Sequence, residues 1–131
     1  MENEQIQTSV LSETRKKRSG GENLAQAVSD YIEAHYKEKF SLQKIAGSLY
    51  VNGSYLLRTF KKHKGYTPLA YHNHIRCEKA KELLVHTGEE VSEIGEMVGF
   101  VSSAHFSHVF KKTEGCTPTE YRNNHSVYWE E

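Results

Sequence analysis

The sequence is poor in the residues and patterns on which several protein classes depend. Its 131 residues include two cysteines, two prolines and one tryptophan. Cys77 and Cys116 are too few to make a disulfide scaffold and form no Cys-x-x-Cys pair, so we expect buried or half-buried thiols. No apolar run approaches a membrane span and no signal peptide opens the chain, so we expect a soluble, cytoplasmic protein without membrane contact.

Signatures of catalysis and of metal binding are also missing. The sequence has no phosphate-binding glycine loop, no nucleophile elbow and no paired carboxylates on an apolar background. We therefore expect no enzyme, no catalytic residue and no cofactor. The close histidine pairs, His105 with His108 and His72 with His74, have no Cys, Asp or Glu at a supporting spacing, so no metal site is predicted.

The charges sum to zero but are unevenly distributed. The chain has 17 Lys and Arg against 17 Asp and Glu. Basic side chains crowd residues 58–64 without an acid among them, whereas Asp and Glu collect in 22–38 and 89–96. This local excess of positive charge is more informative than the net charge.

One stretch of the sequence occurs twice as an internal repeat. Residues 45–71 and 94–121 both contain Phe-Lys-Lys, Gly, Thr-Pro and Tyr in the same order. Equivalent residues before the interruption, such as Ile45 and Ile94, are 49 apart, and those after it, such as Phe60 and Phe110, are 50 apart. The shared order indicates an internal duplication with one residue inserted at the turn.

The spacing of apolar residues predicts helices throughout and no strand, so the fold class is all-α. An amphipathic helix begins near Asn23, and a short helix follows Ser41. A further helix is capped by Asn52 and ended by Gly65. Thr67-Pro68 opens a helix to about His86, whose apolar residues on one side are Leu69, Cys77, Ala80, Leu83 and Leu84. The equivalent signals in the second copy are Ser102, Gly115 and Thr117-Pro118.

Five segments are predicted: a tail (1–21), a first helix-turn-helix subdomain (22–66), a long linker helix (67–87), a second such subdomain (88–125) and a frayed C-terminal tail (126–131). The first tail is either disordered or a linker remnant, or a basic arm that touches phosphates through 15–18. The linker helix is apolar on two sides, so we expect it to be shared by both subdomains and to fix their orientation.

Each copy consists of a short helix, a turn and a second helix that ends in Lys-Lys, which is the helix-turn-helix plan. The chain resembles the DNA-binding domain of the AraC/XylS transcriptional regulators. The residues that carry the resemblance are Leu42 to Leu84, Ile94-Gly95-x3-Gly99-Phe100, Phe106-Ser107-x-Val109-Phe110-Lys111-Lys112 and Gly115-x-Thr117-Pro118-x2-Tyr121-Arg122. Two departures are Gly95, where alanine is usual, and Tyr50-Val51, a first turn without glycine.

The resemblance implies seven helices, sequence-specific binding of double-stranded promoter DNA, and activation through RNA polymerase, with repression left open. It also implies a sensor or dimerisation domain outside this chain in most relatives. The two units could enter successive major grooves about 34 Å apart, placing the protein on the nucleoid when bound. The alternative is a helical protein-interaction module that has lost specific DNA binding.

Inward-facing phenylalanines fix which side chains of the two second helices point outward. The predicted base-reading residues are Ser54, Leu57, Arg58, Ser103, Ala104, Ser107 and His108. Arg58 is the strongest candidate because a guanidinium binds guanine O6 and N7 together, and the resemblance puts a base contact at His108. Leu57 either contacts a thymine methyl or packs against a neighbouring helix.

Lysines at the ends of the two second helices are predicted to bind the DNA backbone. They are Lys61, Lys62, Lys64, Lys111 and Lys112. The alternative is an ordinary solvated helix end, where cations are favourable to the helix dipole, and the two interpretations are compatible.

Overall fold

A computed structural model describes residues 19–125, which form seven α-helices and no strand. In chain order they are α1 (Gly20–Ala34), α2 (Leu42–Ser48), α3 (Gly53–Lys64), α4 (Pro68–His86), α5 (Val91–Met97), α6 (Ser103–Glu114) and α7 (Pro118–His125). The all-α prediction is confirmed over this range. The expectations for residues 1–18 and 126–131 lie outside the described residues. None of the seven helices is both long and apolar enough to cross a membrane.

The first helix begins earlier than the apolar pattern indicates. Gly20 and Gly21, which were predicted to belong to the tail, are helical. A capping box explains the start, because Ser19 Oγ accepts from the Glu22 N–H at 3.0 Å and Ser19 N–H donates to Glu22 Oε1 at 3.1 Å. Two glycines obscured this signal because glycine is a poor helix former.

The chain divides into two compact units. Of the described residues, the first unit contains 19–31 and Leu42–Pro68, and the second contains Ile32–Ser41 and 69–125. Each unit holds one helix-turn-helix pair, α2 with α3 in the first and α5 with α6 in the second. The shared role of α4 in orienting the two pairs stays a prediction.

The first unit has an apolar interior drawn from three helices. Val28 of α1, Ile45 of α2, and Leu56 and Phe60 of α3 are buried. Helices α1 and α3 lie close together at Gly21, where an added Cβ would be 2.5 Å from Nε2 of the exposed His63 side chain, which would have to move. The inward direction predicted for Leu56 and Phe60 is confirmed.

The core of the second unit is built around three phenylalanines. Its buried members are Cys77, Ala80, Leu84, Ile94, Val98, Phe100, Phe106, Val109 and Phe110. Burial raises the pKa of the Cys77 thiol to about 11, and Cys116 is half-buried, as predicted for both cysteines. Leu69 was wrongly placed on the buried side of α4, since it is 48% exposed. A helical projection shows direction around the axis but not where along the axis packing begins.

The pair Gly95 and Phe106 is a size-matched contact within this core. A Cβ added to Gly95 would lie 2.6 Å from Phe106 Cδ2, far inside van der Waals contact. The equivalent positions of the first unit hold Ala46 and Leu56, both buried. A smaller residue on the first helix is thus matched by a larger one on the second helix.

We expect Gly95→Ala to destabilise the protein by about 1–2 kcal/mol. Overpacking against Phe106 costs about 1–3 kcal/mol, and the better helix propensity of alanine returns up to about 1 kcal/mol. The double variant Gly95→Ala/Phe106→Leu recreates the alanine–leucine pair of the first unit. Its loss of stability should therefore be about 1 kcal/mol smaller than the sum of the losses of the two single variants. Urea denaturation of the parent protein, the two single variants and the double variant measures this difference, and strictly additive losses would show that the contact is not size-matched.

Candidate nucleic-acid interface

The turn between α2 and α3 is a Schellman motif that sets the direction of α3. Tyr50 N–H donates to the Gly47 carbonyl at 3.2 Å, and Val51 N–H donates to the Ala46 carbonyl at 3.0 Å. Tyr50 has φ 58°, a left-handed conformation that a tyrosine rarely adopts, and its side chain is 94% exposed. The glycine-free turn therefore keeps the usual geometry at the expense of local strain.

The turn between α5 and α6 has the same two hydrogen bonds. Gly99 N–H donates to the Glu96 carbonyl at 3.0 Å, and Phe100 N–H donates to the Gly95 carbonyl at 2.9 Å. Gly99 has φ 111°, and an added Cβ would lie 2.7 Å from the Lys37 carbonyl oxygen. Glycine is therefore required here for both conformation and space.

The helix α3 has the predicted cap at each end. The Asn52 side-chain oxygen accepts from the Tyr55 N–H at 3.1 Å, and Gly65, at φ 89°, donates its N–H to the Lys61 carbonyl at 2.9 Å. The free N–H groups of the first turn and the positive end of the helix dipole make this end favourable for an anion.

The outward face of α3 carries the residues predicted to read bases. Ser54 and Arg58 are exposed, and so are Lys61 and Lys62 near the helix end. Leu57 is 39% exposed, so its side chain remains accessible to a partner outside the chain. Lys64 differs from the other lysines because it is half-buried and its Nζ donates to Gln26 Oε1 at 3.3 Å.

The helix α6 repeats this arrangement with a smaller, less basic face. Ser102 Oγ accepts from the His105 N–H at 3.0 Å, which confirms the predicted cap. Ser103, Ala104 and His108 are exposed, whereas Ser107 is only partly exposed.

The end of α6 brings several predicted contacts together. Lys111 and Lys112 are exposed, and they line a depression of about 390 Å³ with Ser107, His108 and Thr117. Helix α7 begins beside this face with a capping box, in which Thr117 N–H donates to Glu120 Oε1 at 2.9 Å. That hydrogen bond lowers the pKa of the Glu120 carboxyl.

Arg76 is a structural residue of the second unit whose role the sequence pattern does not reveal. It is 6% exposed, its Nε donates to the Tyr36 carbonyl at 2.7 Å, and one Nη donates to the Glu38 carbonyl at 2.8 Å. The guanidinium carbon lies 5.1 Å from the centre of the Phe100 ring. Burial lowers the Arg76 pKa, but these contacts match the donor geometry of the planar guanidinium.

His72 lies beside Arg76 and was also assigned no role. Its ring is 3% exposed and packs edge-on against Phe40, with 5.4 Å between ring centres. Both ring nitrogens are buried, and within residues 19–125 no contact to them has good hydrogen-bond geometry, although the backbone carbonyls of Glu38 and Tyr36 lie close to the ring. Burial, and then the positive charge of Arg76, lower the His72 pKa to about 4, while the backbone carbonyls of Glu38 and Tyr36 oppose this shift.

Arg122 holds the end of α4 within the second unit. Its Nε donates to the Leu84 carbonyl and one Nη donates to the Thr87 carbonyl, both at 3.1 Å. The sequence motif contained Arg122 but gave no indication of this use. Between residues 19 and 125, no three His, Cys, Asp or Glu side chains lie close enough to hold a metal ion.

The sequence and the fold both match known helix-turn-helix proteins. Residues 45–124 match the sequence pattern of the family described as helix-turn-helix domain. The structure is similar to a Chromobacterium violaceum transcriptional regulator described as AraC-type DNA-binding domain-containing, with TM-score 0.74, 30% identity, and coverage of 82% of this chain and 96% of that chain. The chain belongs to the AraC-type helix-turn-helix family.

Two further relatives extend this assignment of an AraC-type domain. The DNA-binding domain of AdpA, a global transcriptional factor solved in complex with a target DNA, matches with TM-score 0.69 and 27% identity over 77% of this chain and 90% of that chain. An uncharacterised transcriptional regulator of Bacillus subtilis, YisR, is 33% identical over 119 residues, which are 91% of this chain. The chain spans only 42% of the length of YisR.

These comparisons confirm the resemblance, the two helix-turn-helix pairs and the class of DNA-binding transcription regulator for this AraC-type domain. The relatives are in the main transcription regulators by name. They do not test the individual base-reading and backbone-binding residues, which stay predictions.

Proposed function

We propose that the chain binds double-stranded promoter DNA in a sequence-specific manner, with α3 and α6 entering two successive major grooves. The observation that supports this proposal is that the two helix-turn-helix pairs have the same geometry. Each second helix is capped by Asn52 or Ser102, turns its apolar side chains into its own unit and leaves a polar and basic face exposed. A helix with a free N-terminal turn and such a face suits the major groove.

The proposed roles of the individual residues follow from the exposure of their side chains. Arg58, with Ser54 and Leu57 on the same helix, reads bases through α3. Ser103, Ala104, Ser107 and His108 form the corresponding face of α6, which relies more on phosphate contacts and DNA shape. Phosphates are bound by the exposed lysines Lys61, Lys62, Lys111 and Lys112. Lys64 also binds a phosphate once its hydrogen bond to Gln26 is broken.

The proposal for the whole protein goes further than this domain. The relatives are more than twice as long as the matched region, which supports a sensor or dimerisation domain elsewhere in the full protein. Activation through RNA polymerase fits the relatives that are named as activators. We place the protein in the cytoplasm, on the nucleoid when bound, without catalytic activity of its own.

The decisive experiment is selection of bound sequences from a random duplex library at near-physiological salt. Two enriched boxes about one helical turn apart are expected if both recognition helices read DNA. A single box would restrict reading to one helix and contradict the two-groove proposal. Binding without enrichment that salt abolishes would contradict sequence specificity altogether.

We expect Arg58→Ala to weaken binding to the selected sequence by about 1–3 kcal/mol and to relax selectivity at one base pair. The reason is loss of a two-point contact to one guanine, and competition assays on base-substituted duplexes measure it. Lys61→Ala is the matched control: affinity should fall equally on all sequences, with a salt dependence reduced by about one phosphate contact. An equal loss on all sequences for Arg58→Ala would reassign Arg58 to the backbone.

A further inference from the structure

The two units of the fold differ in charge. Within the described residues, the first unit has five Lys and Arg against two Asp and Glu, whereas the second unit has eight against ten. The sequence contains no Asp or Glu between Lys39 and Cys77, a stretch that includes all of α2 and α3. Attraction to the DNA backbone is therefore concentrated in the first unit.

One group of cations has no role in the DNA contacts proposed above. Residues 15–18 are four consecutive Arg and Lys, the longest run of positive charge in the sequence. They directly precede Ser19, whose side-chain oxygen accepts from the Glu22 N–H and caps α1. The position of the start of α1 therefore fixes the point at which these four residues join the first unit.

The start of α1 lies against the basic end of α3. A Cβ added to Gly21 would lie 2.5 Å from Nε2 of His63, in the last turn of α3. Further along α1, Gln26 Oε1 accepts from Nζ of Lys64, the last residue of α3, at 3.3 Å. The N-terminal part of α1 and the C-terminal turn of α3 are therefore neighbours in the first unit.

Chain length limits the distance between the four cations and this end of α3. Arg15 is six residues from Gly21, and an extended chain spans at most about 3.6 Å per residue, so their Cα atoms are no more than roughly 22 Å apart. Lys61 and Lys62 in the same turn of α3 are proposed phosphate contacts. Duplex DNA has one negative charge per about 1.7 Å of its axis, so a backbone bound by these lysines presents further phosphates within that distance.

We propose that residues 15–18 form a basic arm that binds phosphates of the DNA next to the box read by α3. The arm adds affinity without base selectivity, because phosphate contacts carry no sequence information directly. This inference rests on the proposed function, since it extends the DNA contacts of α3. It gives the first unit a larger share of the phosphate contacts than the second unit.

The salt dependence of DNA binding tests the arm in the full chain. For Lys17→Ala/Arg18→Ala, the slope of log affinity against log salt concentration should become smaller by about 1.8, the value for two phosphates of duplex DNA. The matched control Lys37→Ala/Lys39→Ala has the same charge change in the second unit and should alter the slope by less than about 0.5. Melting curves verify that both variants are folded. An unchanged slope for the arm variant, or equal changes for the two variants, would overturn the proposal.

Two duplexes separate failure of the arm from failure of the proposed function. Slopes are measured on the selected sequence and on a random sequence. If the selection enriches no box, sequence-specific binding is contradicted, whereas the slope on the random duplex still tests the arm. A lower ratio of the two affinities in the arm variant would contradict a role limited to phosphates.

Directed cleavage locates the arm on the selected duplex. Thr14→Cys in a Cys116→Ser background provides one accessible thiol for an iron chelate, because Cys77 is buried. The box read by α3 is the one in which Arg58→Ala relaxes selectivity. We expect the chelate to cut the DNA next to that box. Cuts next to the other box, or spread evenly along the duplex, would rule out an arm held beside α3.

Discussion

Replacement of Arg76 by leucine is expected to destabilise the protein by about 3 kcal/mol. The change removes two short hydrogen bonds from a charged donor to the carbonyls of Tyr36 and Glu38, each worth about 1.5–3 kcal/mol. It also removes the contact of the guanidinium with the Phe100 ring. Part of this loss is offset because the variant no longer has to remove a positive charge from water when it folds. Urea denaturation followed by circular dichroism measures the change.

Two control variants separate this role from charge and from DNA binding. Arg76→Lys keeps the charge but cannot reproduce the forked donor geometry, so most of the loss should remain. Arg58→Ala removes an exposed arginine and should change stability by no more than about 0.5 kcal/mol. A stability of Arg76→Leu within that same margin would show that the two carbonyl contacts contribute nothing.

Stability is expected to fall by roughly 2.5 kcal/mol between about pH 7 and about pH 4.5 because of His72 alone. The folded pKa is lowered to about 4 from 6.5, so between these values the unfolded chain binds a proton that the folded chain does not. The contribution of neutral His72 is therefore complete above about pH 6.5 and is lost as the pH falls towards 4. Denaturation curves measured across this range give the slope.

The variant His72→Phe isolates this effect from other acid-sensitive groups. Glu120 also loses a stabilising interaction in acid, because its folded pKa is lowered, so the parent protein and the variant share that part of the profile. Phenylalanine keeps a ring beside Phe40 and cannot take up a proton. The difference between the two pH profiles of the free energy of unfolding should equal the loss of stability caused by protonation of His72. Parallel profiles would rule out His72 as the cause of the loss.

Most of the fold was predictable because local signals and the repeat agreed. Thr67-Pro68, Asn52 and Ser102 mark helix starts, Gly65 marks a helix end, and all four act as the sequence predicts. The inward direction of Leu56 and Phe60 followed from spacing alone and fixed the outward face of α3. The candidate interface could therefore be predicted residue by residue from the sequence alone.

The features that escaped prediction depend on contacts between distant parts of the chain. Arg76 reaches carbonyls 38 to 40 residues away, and an arginine on a helix gives no sign of whether it points inward. His72 is buried by Phe40 and by the segment before α2, neither of which a helical projection of α4 includes. The exposure of Leu69 was missed for the same reason.

The two Schellman turns have a consequence for which residues each half of the repeat can accept. At position 99 only glycine satisfies both the backbone angle and the space left by the Lys37 carbonyl and Arg76. At position 50 the same angle is adopted by a tyrosine whose side chain is almost wholly in solvent, so other residues fit there at similar strain. The first turn therefore accepts a wider range of residue types than the second, although the two turns have the same pair of backbone hydrogen bonds.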